Sequence, residues 1–189
     1  MNKPLLGFAL FPTIIVLTLI VGVIGQGCAG DNPPFAPFGS EITILNPIEG
    51  IIIPPLTLEP ITVEALVTDP DGLPLNDVRV LFSLSFSGTN SLVVDTDGDG
   101  LGDARALQLV DPDACGGVRC ELVPISQWFG LDAFVDSPLE KLTDDRGVAD
   151  VIILISGDNR CIDATLTVST QSGAVDTNDF EVNQDDDCP

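Results

Sequence analysis

From Glu41 onward the apolar residues of this chain come in short runs rich in Ile, Val, Leu and Thr, each cut off by Pro, Gly, Asp or Asn: EITIL at Glu41, GIII at Gly50, ITVEALV at Ile61, VRVLFSLS at Val78, VADVIILI at Val148 and CIDATLTVST at Cys161. Within them the period is two. Ile61, Val63, Ala65 and Val67 point one way while Thr62, Glu64 and Leu66 point the other, and in ATLTVST the threonines alternate with Leu166 and Val168. Side chains in a strand alternate between faces, whereas a helix repeats every 3.6 residues, so this pattern predicts strands. We find no capped amphipathic helix of useful length. Short alternating strands separated by turn residues predict an all-β chain, an antiparallel β-sandwich. At 189 residues a single sandwich domain with a real core is the expected organisation.

Composition narrows the chemistry. The chain has no histidine and no tyrosine, which removes Ser/His/Asp triads, Cys/His dyads, His-ligated metals and the commonest general base. Twenty-nine Asp and Glu against 7 Lys and Arg give a net charge of -22. Such a surface repels phosphate backbones, so nucleic acid is not an expected partner. With 44% hydrophobic residues the chain is too apolar to be disordered, although one N-terminal segment supplies part of that figure.

In that segment, after Lys3, Pro4 to Gly25 carries no charge and Ile14 to Ile24 is densely apolar, as in an export signal. It ends in Ile24-Gly25-Gln26-Gly27-Cys28, which resembles the lipobox of bacterial lipoproteins, with Gly25 standing where that family usually has Leu. The resemblance implies a signal peptide over 1–27 and a lipid on Cys28, hence a protein of the cell envelope, anchored at the outer membrane or cell surface. An uncleaved anchor helix is the other reading, since about 20 apolar residues cross a bilayer. Both tether the chain to a membrane. Residues 28–40, with Pro33, Pro34 and Pro37, then read as a semi-extended linker.

Five cysteines are odd for an exported protein, but lipid on Cys28 leaves Cys115, Cys120, Cys161 and Cys188 as an even set. Four cysteines allow three pairings. We favour Cys115 with Cys120 across Gly116-Gly117, and Cys161 with Cys188 near the acidic tail, 184–189. A four-thiolate zinc site has no CxxC pair to support it.

Leu66 to Ser83 (LVTDPDGLPLNDVRVLFS) and Leu142 to Ile155 (LTDDRGVADVIILI) together resemble the bacterial Ig-like domains of intimin and invasin type. The matching residues are Val67, Asp69, Gly72, Pro74, Val80 and Phe82 in the first segment, then Thr143, Asp144, Gly147 and Ala149 in the second. The resemblance implies an Ig-like sandwich over 41–183 and a binding, adhesion or structural role without catalysis. A long insertion at about 88–141 stands where those relatives have a short connection.

The insertion opens with DTDGDGLGD. Asp95, Asp97, Asp99 and Asp103 fall at positions one, three, five and nine of a loop, with Gly100 at six and the Leu101 carbonyl at seven, the spacing of a calcium loop. Calcium takes six to eight oxygen ligands, and glycine permits the sharp bend that lets alternate carboxylates converge. The string resembles the loops of dockerins and thrombospondin-type repeats. Position twelve is Ala106 where an EF-hand has Glu, so a further ligand is expected from Asp111, Asp113 or water. Magnesium would need a stricter octahedron, and the bland reading is a solvated acidic turn. Further on, Trp128, Phe129 and Phe134 read as a small core under the insertion or as a platform for sugar. Asp132 and Asp136 are a carboxylate pair of the kind glycoside hydrolysis uses. The expected partners are therefore the membrane, and a protein or carbohydrate ligand.

Overall fold

In the computed structural model, which describes residues 35–54, 57–87, 92–94, 104–105, 107–129, 131, 133–135, 137–157 and 162–183, the alternating runs become strands. In chain order they are β1 (Glu41–Ile44), β2 (Ile51–Ile52), β3 (Leu58–Thr68), β4 (Arg79–Phe86), β5 (Leu92–Val94), β6 (Ala104–Arg105), β7 (Leu107–Val110), β8 (Phe134–Val135), β9 (Leu139–Leu142), β10 (Val148–Ser156), β11 (Ile162–Thr170) and β12 (Val175–Asn183). One four-residue helix, α1 (Ile125–Trp128), and a 3₁₀ turn, Cys120–Leu122, interrupt them.

Two five-stranded sheets form an all-β sandwich. The first runs β1-β3-β10-β7-β8 and the second β2-β12-β11-β4-β9, while β5 and β6 pair apart from both. Every pairing is antiparallel except β2 with β12. The core is what the period-two reading predicts: Val63, Ala65 and Val67 of β3, Phe82 of β4, Val151, Ile153 and Ile155 of β10, and Leu166 and Val168 of β11 are all fully buried between the sheets. Each Val, Ile, Leu or Phe among them contributes about 1.5–3 kcal/mol by leaving water.

β10 departs from alternation for a physical reason. Val151, Ile153 and Ile155 face the sandwich, while Ile152 and Leu154 face outward yet are just as buried, beneath residues of the insertion. A strand covered on both faces needs apolar residues at every position, and VIILI supplies them.

The long insertion is not all loop. β7 joins the first sheet beside β10, and β9 closes the second beside β4. β12 was not among the runs expected from the sequence, because on its buried side only Phe180 and Val182 are apolar. The two residues that precede them on that side act through hydrogen bonds instead. Asp176 Oδ2 accepts from Ile44 N at 2.9 Å, Asn178 Oδ1 accepts from Ile48 N at 2.6 Å, and Asn178 Nδ2 donates to Ile48 O at 3.1 Å. These bonds hold the chain where it passes from β1 in one sheet to β2 in the other.

The two turn segments quoted above meet at one end of the sandwich. Asp69 Oδ1 accepts from Asp71 N and Leu73 N at 2.9 and 2.8 Å, and Asp144 Oδ1 accepts from Arg146 N and Val148 N at 2.9 and 3.0 Å. Buried Thr143 ties them together, its Oγ1 accepting from Val78 N at 2.9 Å and donating to Leu75 O at 2.6 Å.

Candidate functional site

The most elaborated part of the molecule is the cap that the insertion builds on the outer face of the first sheet. Cys115 and Cys120 are disulfide-bonded around Gly116 and Gly117, whose φ angles of 69° and 88° are in the left-handed region that glycine adopts freely. The 3₁₀ turn and α1 follow directly and lay Trp128 over Ile152 and Leu154. Trp128 is 1% exposed, and its Nε1 donates to Cys120 O at 3.1 Å and Val123 O at 3.0 Å. A buried indole needs such partners. Phe129 and Phe134 complete this second core with ring centroids 4.9 Å apart. Of the two roles open to Trp128, the structure has the core one, and the indole is no platform for sugar.

An ionic rim joins the cap to the sandwich. Lys141 of β9, 13% exposed, donates from Nζ to Asp111 at 2.8 Å and Asp113 at 2.5 Å. Arg119, inside the disulfide loop, forks onto Glu121 at 2.8 and 3.1 Å and also bonds Asp150 of β10. Burial alone would pull the Lys141 ammonium down, but its hydrogen bonds to Asp111 and Asp113 outweigh that and hold it above its ordinary value. The Glu121 carboxyl is held below its ordinary value chiefly by the hydrogen bond from Arg119, and Arg119 is raised in turn by Glu121 and then Asp150. In the neighbouring turn, Asp144 is lowered by the backbone N–H of Val148 and by Arg146.

Asp113, Arg119, Lys141, Arg146 and Asp150 border a cleft of about 320 Å³. Three of the 7 cations of the chain thus gather here, each already held by carboxylates. The chemistry of this arrangement is that of a clamp: opposite charges on cap, β9 and β10 fix the cap in place. Sequence reading did not assemble it, because the partners lie about 30 residues apart (Arg119 to Asp150, Lys141 to Asp111) and meet only through sheet register.

Most residues expected to carry chemistry lie outside the described residues: Cys28, the calcium-loop set Asp95, Asp97, Asp99, Leu101 and Asp103, Cys161 and Cys188, and the pair Asp132 and Asp136. What is described is the base of the acidic loop. β5 and β6 flank it, with Leu92 opposite Arg105 and Val94 opposite Ala104, so the backbone on either side of Asp95 to Asp103 is paired. Asp111 and Asp113, the carboxylates expected to supplement that loop, are instead on Lys141. Among the described residues no group of three or more His, Cys, Asp or Glu is placed to hold a metal ion. Among them also, no helix is long and apolar enough to cross a membrane.

No protein-family model matches this chain. No curated protein matches it either. Among solved structures, a conjugative transposon lipoprotein from Bacteroides eggerthii is similar at a TM-score of 0.37 and 5% identity, over 78% of this chain and 99% of that one. A likeness that distant carries no functional argument.

Proposed function

We propose that this chain is an exported lipoprotein of the cell envelope, tethered through a lipid on Cys28 at the outer membrane or cell surface, whose Ig-like domain is a binding, adhesion or structural module and not an enzyme. The observation that carries the proposal is the buried Cys115–Cys120 disulfide at the centre of the cap. Disulfides persist in oxidising compartments outside the cytoplasm, and the apolar run ending at Gly27-Cys28 is a device that delivers a domain there. The Ig-like reading is supported by strand order, since within the two five-stranded sheets the runs β1-β3-β10-β7 and β12-β11-β4 follow the order of the four-on-three immunoglobulin sandwich, with β8, β2 and β9 added at the edges. Calcium in the Asp95–Asp103 loop acts as a staple, neutralising Asp95, Asp97, Asp99 and Asp103 with the Leu101 carbonyl as a further ligand. The β5–β6 pairing supports this, because it brings the two sides of the loop together at its base. Cys161 with Cys188 is the second disulfide of this reading, and the ligand is a protein or a carbohydrate.

Mass spectrometry of the mature protein from membranes tests the proposal. A diacylglyceryl cysteine at position 28, with no free thiol among Cys115, Cys120, Cys161 and Cys188, is the expected result. Any other mature N-terminus, or a Cys28→Ala chain processed and anchored like the parent, overturns the anchor.

A further inference from the structure

Nine large apolar side chains are exposed among the described residues, and they are not spread evenly. In the sheets Glu41 lies opposite Thr68 and Val148 opposite Leu66, so the start of β1, the end of β3 and the start of β10 share one end of the sandwich. Arg79 opposite Leu142 and Val80 opposite Thr170 bring the end of β9 and the β11–β12 turn to the same place. Phe35, Phe38, Leu73, Leu142 and Val175 are all at this proximal end, whereas of the nine only Ile52, opposite Asn183, is at the distal one. Single exposed apolar residues are ordinary, and five of the nine at one end are what a contact surface there would draw on.

Phe38 is 96% exposed at the tip of a turn, Pro37 to Ser40, closed by Ser40 N donating to Pro37 O at 3.2 Å. The geometry of that turn asks only for Gly39, at φ 85°. Nothing in the fold requires an aromatic ring beside it. The turn is nevertheless fixed: Ala36 is buried in the main core, Ser40 Oγ donates to Pro37 O at 2.8 Å, and a Cβ added at Gly39 would stand 3.3 Å from Pro70 Cγ. Phe35 and Phe38 are therefore directed outward by a buried neighbour, next to the turn that carries Leu73.

We propose that this proximal end seats on the bilayer to which the chain is tethered, Phe38 and Leu73 entering the boundary between headgroups and acyl chains. The inference rests on the lipid at Cys28. Cys28 precedes Phe35 by seven residues, and a chain of that length spans at most roughly 25 Å. With lipid on Cys28, this is the end from which the chain runs to its anchor, and Phe and Leu are side chains that enter the interface favourably. With a net charge of -22 the domain is repelled by anionic lipid, so the surface it fits is zwitterionic.

The test places the full chain, produced with its own leader, in vesicles of phosphatidylethanolamine and phosphatidylcholine with brominated acyl chains. Phe38→Trp and Leu73→Trp report on the proximal end, Ile52→Trp on the distal end, and buried Trp128 supplies the baseline in the parent. The added emission of Phe38→Trp and Leu73→Trp is expected to shift to the blue and to be lost in brominated vesicles, while that of Ile52→Trp keeps its wavelength and intensity. The mass at position 28 is read on the same samples. Lipid on Cys28 with no quenching at Phe38 and Leu73 overturns the seating alone, quenching without lipid overturns the anchor alone, and neither signal overturns both. A blue shift that grows with protein concentration in the absence of vesicles assigns this end to a second copy of the chain and overturns the seating.

Discussion

At the scale of single residues, two glycines in equivalent turns separate backbone strain from steric crowding. Gly72 and Gly147 both have φ near 80°, but a Cβ at Gly72 meets open space, whereas one at Gly147 comes within 2.8 Å of Pro74 Cβ and of Val67 O. Gly72→Ala therefore incurs only the left-handed penalty, about 1–2 kcal/mol. Gly147→Ala adds a collision with backbone and a proline ring, and its urea midpoint should fall clearly further. The ionic rim gives a second residue-scale expectation. Lys141→Met leaves Asp111 without its cation, while Asp113 keeps Arg119 at 3.7 Å, and is expected to cost roughly 1–2 kcal/mol, reduced by the exposure of Asp113. Because the Lys141 value is raised above 10.5, its stabilisation is fully present below that pH and is lost as pH rises beyond it. Glu121 has the opposite sense: lowered from 4.5, it stabilises the fold above that pH and loses its contribution as pH falls through the folded value. Melting temperatures measured from pH 3 to 7 should thus converge at the acid end for the parent and Arg119→Met, and a gap that stays constant over that range would remove Glu121 from the account. The glycines of both turns were legible in the sequence, since glycine enters the left-handed region at no steric cost. The rim was not, since charge alone does not say which of 29 carboxylates a cation will meet.

At the scale of elements, β10 and β11 show how much a strand pattern tells. In β11 every second residue is polar and half-exposed, and the sandwich follows directly from that alternation. In β10 the unbroken VIILI announces that something covers the second face, but the sequence does not name the cover; disulfide, 3₁₀ turn, α1 and Trp128 become a cap only once folded. Ile152 faces away from the sandwich core yet is 0% exposed, so Ile152→Thr should cost as much as a core substitution, about 2 kcal/mol for an unsatisfied hydroxyl and a lost methyl. Thr167→Val, on the open face of β11, should change the denaturation midpoint little. Equal effects of the two substitutions would mean that the cap does not bury β10 in solution. β12 was missed for a complementary reason: Asp176 and Asn178 occupy its inward positions through bonds to the backbone near β1, and a pattern reading counts only apolar residues.

For the whole molecule, the dominant quantity is the net charge of -22, which makes the compact state repel itself. Calcium at the Asp95–Asp103 loop should relieve part of that repulsion and raise the melting temperature by mass action, since the metal binds the folded loop and not the unfolded chain. With no Glu at the twelfth position, affinity is expected in the range of extracellular modules, about 10⁻⁴–10⁻³ M. Calorimetric titration of the domain from Pro33, which forms one compact unit with every described strand, measures it. Neither heat nor thermal shift at about 10 mM calcium would end the proposal, as would an Asp97→Asn, Asp99→Asn variant that responds like the parent. The all-β class, the turns, the Cys115–Cys120 disulfide and the small core of Trp128 and Phe129 were legible in the chain; the docking of that core on Ile152 and Leu154 was not, because it joins segments far apart in sequence. One feature of the sandwich also bears on load, should the proposed anchor at Cys28 hold. β1 begins at the end where the chain enters the sandwich, and β12 runs parallel to β2 toward the other, so a pull between that entry and Asn183 would be directed along the strands. The β2–β12 hydrogen bonds and the side-chain ties of Asp176 and Asn178 would then be loaded in shear and break together, where a hairpin pulled from one end would unzip.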